Sequence, residues 1–159
     1  MIDIMRVGHG YDIHKLAPDR KLIIGGVEIP HSKGLSGHSD ADVLVHALID
    51  AMLGALGLGD IGKHFPDSDM KWKDANSLDL LSSIYNLIKS KGFKITNIDS
   101  TIVVEKPKLS PYIDKMKNNL SKILEISSDL VNIKAKTNEE QDSVGQEKAI
   151  CAWVVILIE

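Results

Sequence analysis

An α/β sandwich, with helices covering one side of a sheet, is the fold class this sequence predicts. Three observations carry the prediction. Hydrophobic periodicity gives the element order strand, hairpin, helix, helix, strand, helix, strand, strand. The stretch 40–56 is apolar on nearly every side, the pattern of a helix buried on more than one face. The final stretch, 149–158, is apolar on both faces of a strand, so one face can meet the helices while the other still needs cover. In a chain of 159 residues that cover is expected from another copy of the chain, which predicts a homo-oligomer.

Each element has its local reason. Residues 5–13 read as a strand interrupted by Gly8 and Gly10, and residues 22–29 as a hairpin with Gly25-Gly26 as its two-residue turn. Ser39 is expected to cap the 40–56 helix, with Asp42 three residues on in a capping-box pattern. Residues 57–69, rich in glycine, aspartate and proline, read as an irregular, partly mobile loop. Asn76 caps a second helix whose inner stripe is Leu78, Leu81, Ile84, Tyr85 and Ile88, and Gly92 ends it. A strand over 94–104 follows, with Ile98, Ser100, Ile102 and Val104 on one face. Ser110-Pro111 starts a third helix with the stripe Ile113, Met116, Leu120, Ile123 and Leu124. Residues 131–136 and 149–158 are the last strands, and the whole of 1–159 reads as a single domain.

Bulk properties exclude several classes. The composition, 43% hydrophobic and 26% charged, is that of a soluble globular protein. A net charge of -3 gives no electrostatic reason to expect nucleic acid or an anionic membrane. The lone Cys151 rules out an internal disulfide, fits a reducing compartment, and sits in an apolar run as a buried strand residue. Residues 1–6 lack a signal-peptide core, and the longest apolar run is too short for a membrane helix, so a cytoplasmic location is expected.

Among the six histidines, His14 and His46 stand out. Alone, each reads as a hydrogen-bonded core residue. Asp12 changes the balance, because side chains two apart on a strand share a face and Asp12 and His14 can grip one ion. His46 on the apolar helix would complete a set of three nitrogen and oxygen ligands, leaving a coordination position for substrate as in catalytic sites. Asp42 and Asp50, each four residues from His46, read as partners that orient its ring, and two imidazoles favour zinc over magnesium. His38-Ser39 precedes the helix, where free N–H groups suit phosphate, although a plain cap explains Ser39 equally well. Lys134 to Glu140 leaves a strand with lysine, hydroxyl and carboxylate groups. That mixture suits phosphate with magnesium on a glutamate, although a solvated turn is the simpler reading of this segment alone. His9, His31 and His64 read as ordinary polar residues.

Gly8-His9-Gly10-Tyr11-Asp12-Ile13-His14, Gly37-His38-Ser39-Asp40-Ala41-Asp42, Gly59-Asp60-Ile61-Gly62-Lys63-His64-Phe65-Pro66-Asp67 and Lys106-Pro107-Lys108 stand in one order and spacing. In them the chain resembles, over essentially its whole length, the 2-C-methyl-D-erythritol 2,4-cyclodiphosphate synthases of the non-mevalonate isoprenoid (MEP) pathway. The resemblance implies a mixed four-stranded sheet with helices on one face plus a small hairpin, assembled as a homotrimer with sheets facing the threefold axis and active sites between subunits. It implies a lyase that converts 4-diphosphocytidyl-2-C-methyl-D-erythritol 2-phosphate to the 2,4-cyclodiphosphate and CMP. Each site would use Zn2+ and a second divalent ion, Mg2+ or Mn2+.

By position, Asp12, His14 and His46 match the zinc ligands, with Ile13 among the substrate contacts, and Glu139 matches the ligand of the second ion. His38 and Thr137 match the residues that stabilise the transition state, and Ser39 those that hold the 2-phosphate. Asp60, Ile61 and Gly62 match contacts near the erythritol and ribose, with Asp50 a hydroxyl partner. Phe65, Pro66, Asp67, Ser68 and Asp69 match a loop closing over substrate. Val104, Lys108, Leu109 and Ser110, with Ala135, Lys136, Thr137 and Asn138, match the cytidine and diphosphate pocket. Where relatives carry a glycine-phenylalanine pair and an arginine, this chain has Asp142, Ser143 and Gln146, so an isoprenoid-diphosphate site on the threefold axis is not expected here. Two other functions fit the same residues: a zinc phosphoesterase using bound water, and a non-catalytic trimeric nucleotide-binding module.

Overall fold

The computed structural model describes residues 5–159, so residues 1–4 of the segment read as lacking a signal peptide lie outside it. Strand β1 (Arg6–Pro18) runs straight through Gly8 and Gly10. These glycines do not interrupt the strand. They admit helix α1 (Val43–Ala55), which crosses so closely that a Cβ on Gly8 would lie 1.8 Å from the Ala51 carbonyl oxygen. A Cβ on Gly10 would lie 1.8 Å from that of Ala47. This backbone-to-backbone contact fixes where α1, and therefore His46, stands above the strand.

Strands β2 (Leu22–Ile24) and β3 (Val27–Ile29) form the expected hairpin, and Gly25 and Gly26, at φ 58° and 69°, supply the two left-handed turn residues. Strand β4 (Lys33–Ser36) then pairs with the end of β1. Strands β5 (Ile95–Val103), β6 (Val131–Lys136) and β7 (Ala149–Ile158) complete a sheet of order β4-β1-β7-β5-β6. Among the described residues only β5 and β6 pair in parallel. The sheet is therefore mixed but five-stranded rather than four-stranded. The extra strand was invisible in sequence because Lys-Gly-Leu-Ser carries one large apolar side chain and no alternation.

Helix α2 (Ile61–His64) is a short turn of order inside the stretch expected to be irregular. Helix α3 (Ser77–Ser90) starts at Asn76 and stops before Gly92, as expected. Helix α4 (Ile113–Ile123) follows a 3-10 turn over Ser110–Tyr112, so the proline precedes the α-helix instead of opening it. A last short helix, α5 (Asp142–Gly145), packs Val144 against Val103, Ala149 and Cys151, and Cys151 is buried as expected. None of the described helices is long and apolar enough to cross a membrane.

The cap of α1 is Asp42, not Ser39. Its buried carboxylate accepts from Val45 N at 3.1 Å and from Gly25 N and Gly26 N at 2.9 and 2.7 Å, tying the hairpin turn to the helix end. The protein's own anion thus takes the Val45 N–H at the start of the helix, one of the groups that the sequence reading left free for phosphate. Burial pushes the Asp42 carboxyl up to about 6 against the pull of the Gly26 hydrogen bond, and nearby Asp40 adds to the rise. Since its ordinary value is 3.8, the folded state holds this proton more tightly, and stability falls as pH rises from there through about 6. Asp42→Ala is expected to cost about 3 kcal/mol in urea unfolding, because it strips a cap and leaves buried N–H groups unpaired. The same variant should lose that part of the pH dependence.

The inner face of β7, from Ile150 through Ala152, Val154, Ile156 and Ile158, is wholly covered. The opposite face of the sheet leaves Val7, Tyr11, Ile13, Trp153 and Val155 exposed, with the Tyr11 and Trp153 rings 5.1 Å apart across paired strands. The long helices lie on one side, as the sequence predicts, but short α5 sits on the other over Val103, Ala149 and Cys151, and the rest of this second apolar face stays open.

Candidate active site

Asp12, His14 and His46 meet. Even-numbered residues of β1 face α1, as Gly8 and Gly10 show, so Asp12 and His14 point into the same gap. Asp12 Oδ2 lies 2.8 Å from His14 Nε2 and 3.1 Å from His46 Nδ1, and the two nitrogens are 3.1 Å apart. Three ligand atoms about 2.1 Å from one tetrahedral ion would stand about 3.4 Å from one another, close to this triangle. Burial works to raise the Asp12 carboxyl, but the hydrogen bonds and charges of His14 and His46 hold it below the ordinary carboxylate range. Burial works to lower His46, and Asp12 beside it outweighs this and raises it.

The donor set fits a cation. His14 Nδ1 contacts the Ser36 carbonyl at 3.2 Å, and a carbonyl only accepts, so Nδ1 carries the hydrogen and Nε2 turns a lone pair toward Asp12. His46 Nε2 is 3.1 Å from Ser39 Oγ and 2.9 Å from Ser77 Oγ, leaving Nδ1 toward the same point. Neither the Asp42 nor the Asp50 carboxylate bonds to the His46 ring, contrary to the reading of both as its orienting partners. Asp42 is turned into the helix end, and Asp50 Oδ1 accepts from Ile61 N at 2.7 Å, holding α2 against α1. The hydroxyls do that work instead. Ser77, on another helix and 31 residues from His46, gave no signal in the sequence.

The triangle opens into a cleft of about 270 Å³ lined also by Gly37, His38, Ser39, Ile61, Gly62, Phe65, Asp67, Trp72 and Leu80. His38 Nε2 is buried there with no hydrogen-bond partner among the described residues. Of the segment read as a closing loop, Phe65 and Asp67 reach the cleft and Pro66, Ser68 and Asp69 do not. Asp69 is spent on Lys71 N and Asp60 on Lys63 N, each capping a short helical turn. The Ile13 side chain, at an odd-numbered position of β1, lies on the open face of the sheet and not in the cleft. Trp72, Leu80 and Gly37 line the cleft without having been singled out.

A second cavity, of about 500 Å³, lies where parallel β5 and β6 end. Val104, Lys108, Leu109, Ser110, Ala135, Lys136 and Thr137 line it, gathering the residues expected around a nucleotide. Asn138 and Glu139 stand just beyond, where Thr137 Oγ1 donates to Glu139 Oε1 at 3.1 Å and Asn138 N donates to Glu105 Oε2 at 3.1 Å. Glu139 is not part of the Asp12, His14 and His46 cluster. The two cavities share no lining residue, so within one chain the expected site is in two parts.

Comparison with known proteins places these features. A curated 2-C-methyl-D-erythritol 2,4-cyclodiphosphate synthase from Clostridioides difficile (strain 630) is 59% identical over 97% of this chain and 96% of its own length. The solved bifunctional IspDF of Campylobacter jejuni superposes with a TM-score of 0.94 at 38% identity, covering 98% of this chain, which spans 42% of that longer one. A 2C-methyl-D-erythritol-2,4-cyclodiphosphate synthase in its CDP-bound form superposes with a TM-score of 0.89 at 34% identity, over 97% of this chain and all of that one. The model of the YgbB family matches residues 5–159, and on that match and these relatives the chain belongs to the YgbB family.

Proposed function

We propose that this protein is a phosphorus-oxygen lyase that cyclises 4-diphosphocytidyl-2-C-methyl-D-erythritol 2-phosphate to 2-C-methyl-D-erythritol 2,4-cyclodiphosphate with release of CMP, in isoprenoid precursor synthesis. The observation that carries it is the convergence of two imidazole nitrogens and one carboxylate oxygen, within 3.1 Å of one another, beside an unpaired His38 in a substrate-sized cleft. An oxygen of the 2-phosphate forms the new bond to the β-phosphorus. The bond from that phosphorus to the bridging oxygen breaks, and CMP leaves with the bridging oxygen.

Asp12, His14 and His46 would hold Zn2+, which their nitrogen-rich set favours over magnesium, and Glu139 a second ion, Mg2+ or Mn2+. The bound cations supply charge that offsets the repulsion between the two phosphoryl groups. His38 Nε2 is free to hydrogen-bond a phosphate oxygen, and Thr137, from the other cavity, would do the same once its hydroxyl turns away from Glu139. The half-enclosed cleft, floored by Phe65, Trp72 and Leu80, limits water and holds attacker and target in line.

The two-part site and the open apolar sheet face have a common explanation in a homotrimer. The nucleotide cavity of one copy would adjoin the cleft of the next, with the sheet faces bearing Tyr11 and Trp153 turned toward the axis. Lys108 would then meet the diphosphate while Val104 and Ala135 read the base. The relative bound to CDP supports a cytidine nucleotide as the occupant. The reading is of one cytoplasmic domain, with neither nucleic acid nor membrane as partner.

The test is incubation of purified protein with this substrate, Zn2+ and Mg2+ in oxygen-18 water. CMP and a cyclic diphosphate, both free of label, are expected. Linear products carrying solvent oxygen would establish a phosphoesterase, and absence of turnover in metal-loaded protein would leave a binding module.

A further inference from the structure

We infer that Asp40 and Ser77 form a hydrogen-bond relay that fixes the tautomer of His46 and so makes its Nδ1, and not its Nε2, the ligating nitrogen. The inference rests on the reading of Asp12, His14 and His46 as a metal centre.

Ser77 opens α3, and its side chain is fully buried against the approach to α1. Its hydroxyl has one hydrogen, which goes to Asp40 Oδ1 in a short contact. Asp40 is itself held in place. Its Oδ2 accepts from Ser77 N at 2.9 Å, its Oδ1 accepts from Asp42 N at 3.2 Å, and its own N–H donates to the Ala75 carbonyl at 3.2 Å. A carboxylate only accepts, so the direction of the Ser77 hydroxyl is set, and Ser77 Oγ can meet His46 Nε2 only as an acceptor at 2.9 Å. The imidazole hydrogen must then lie on Nε2. In the neutral ring this leaves Nδ1 bare, and Nδ1 is the nitrogen 3.1 Å from both Asp12 Oδ2 and His14 Nε2.

Ser39 Oγ, which accepts from Ala41 N at 3.2 Å, is the second oxygen near Nε2 and is compatible with the same direction. Asp40 and Ser77 are therefore positioning residues. They act through His46 and touch neither metal nor substrate. Partners of this kind typically change metal affinity about 10–100-fold when removed.

Asp40→Asn is the sharpest variant. An asparagine amide can donate to Ser77 Oγ, freeing the hydroxyl hydrogen for His46 Nε2 and favouring the tautomer with hydrogen on Nδ1. Two measurements on the full chain decide the matter. The first is zinc affinity by competition with a chromogenic chelator, and the second is nitrogen NMR of the imidazoles in metal-free protein at alkaline pH.

The wild type is expected to carry its His46 hydrogen on Nε2. Asp40→Asn and Ser77→Ala should each weaken zinc binding about 10–100-fold, with the hydrogen redistributed toward Nδ1. Ser77→Thr keeps the hydroxyl and should restore affinity; if its added methyl unfolds the protein, Asp40→Asn alone decides. Hydrogen on Nδ1 in the wild type, or wild-type zinc affinity in folded Asp40→Asn, would overturn the relay. Wild-type protein that binds no zinc would instead overturn the metal centre, while the NMR still judges the relay.

Discussion

Gly10→Ala is expected to destabilise the protein by at least about 3 kcal/mol and to weaken metal binding in whatever remains folded. Overpacking a core ordinarily costs about 1–3 kcal/mol, because neighbouring side chains can turn aside. At Gly10 nothing can turn aside. The added Cβ would lie 1.8 Å from the Ala47 carbonyl oxygen, 2.8 Å from its carbon and 2.8 Å from Ala51 N, all backbone atoms of α1. Relief requires β1 and α1 to separate, and Ala47 directly follows His46, so the separation draws His46 away from Asp12 and His14. Fold and site therefore fail together. Gly54→Ala is the matched control on the same helix. Its Cβ would meet only His9 O at 3.8 Å, an ordinary contact, and removing a helical glycine should stabilise by about 0.5–1 kcal/mol. Urea unfolding and zinc affinity of the two variants measure the contrast. A loss under 1 kcal/mol in Gly10→Ala would show that the strand and helix are not locked as described.

The same glycines mark where the sequence stopped being legible. Asp12 and His14 could be paired on paper because a strand has a fixed period of two. The 40–56 stretch was recognisable as a buried helix from composition alone. That His46 reaches them depends on the distance between two backbones, which Gly8 and Gly10 set, and in the sequence these glycines look like interruptions of the strand. The cap of α1 was misread for a related reason. Ser39 and Asp42 both suit a helix start, and the choice of Asp42 is made by two N–H groups of the hairpin turn, 17 and 16 residues away. Ser77 belongs to the same class of tertiary facts. Short β4 and α5 lack the periodic apolar pattern that gives longer elements away. The segments 104–110 and 135–137 were joined only through the family resemblance; that they line one cavity follows from parallel strands β5 and β6 ending side by side, which no local pattern shows. The separation of that cavity from the metal cleft within one chain was not legible, since no local pattern encodes which surfaces adjoin.

His46→Ala is expected to lower turnover on the order of 10³-fold or more while leaving a folded protein, because it removes a ligand on which stabilisation of the reacting phosphates depends. Asp12→Asn should follow it, replacing an anionic oxygen with a neutral one. The metal-free protein offers an independent check through pH. His46 is raised from 6.5, so its contribution to stability is present below that value and is lost as pH rises through its higher folded value. Asp12 is lowered from 3.8, so its contribution is present above that value and is lost as pH falls through its lower folded one. Between these limits a proton on His46 holds the triangle together in place of a cation. Zinc must displace that proton, so the rise in thermal midpoint produced by a fixed zinc concentration should grow as pH increases through the folded value of His46. His46→Ala should show neither the zinc-dependent rise nor the upper pH flank. A variant that kept a pH-dependent zinc shift would mean that His46 is not a ligand. Full turnover in the same variant would mean that the cation the reaction needs is bound elsewhere.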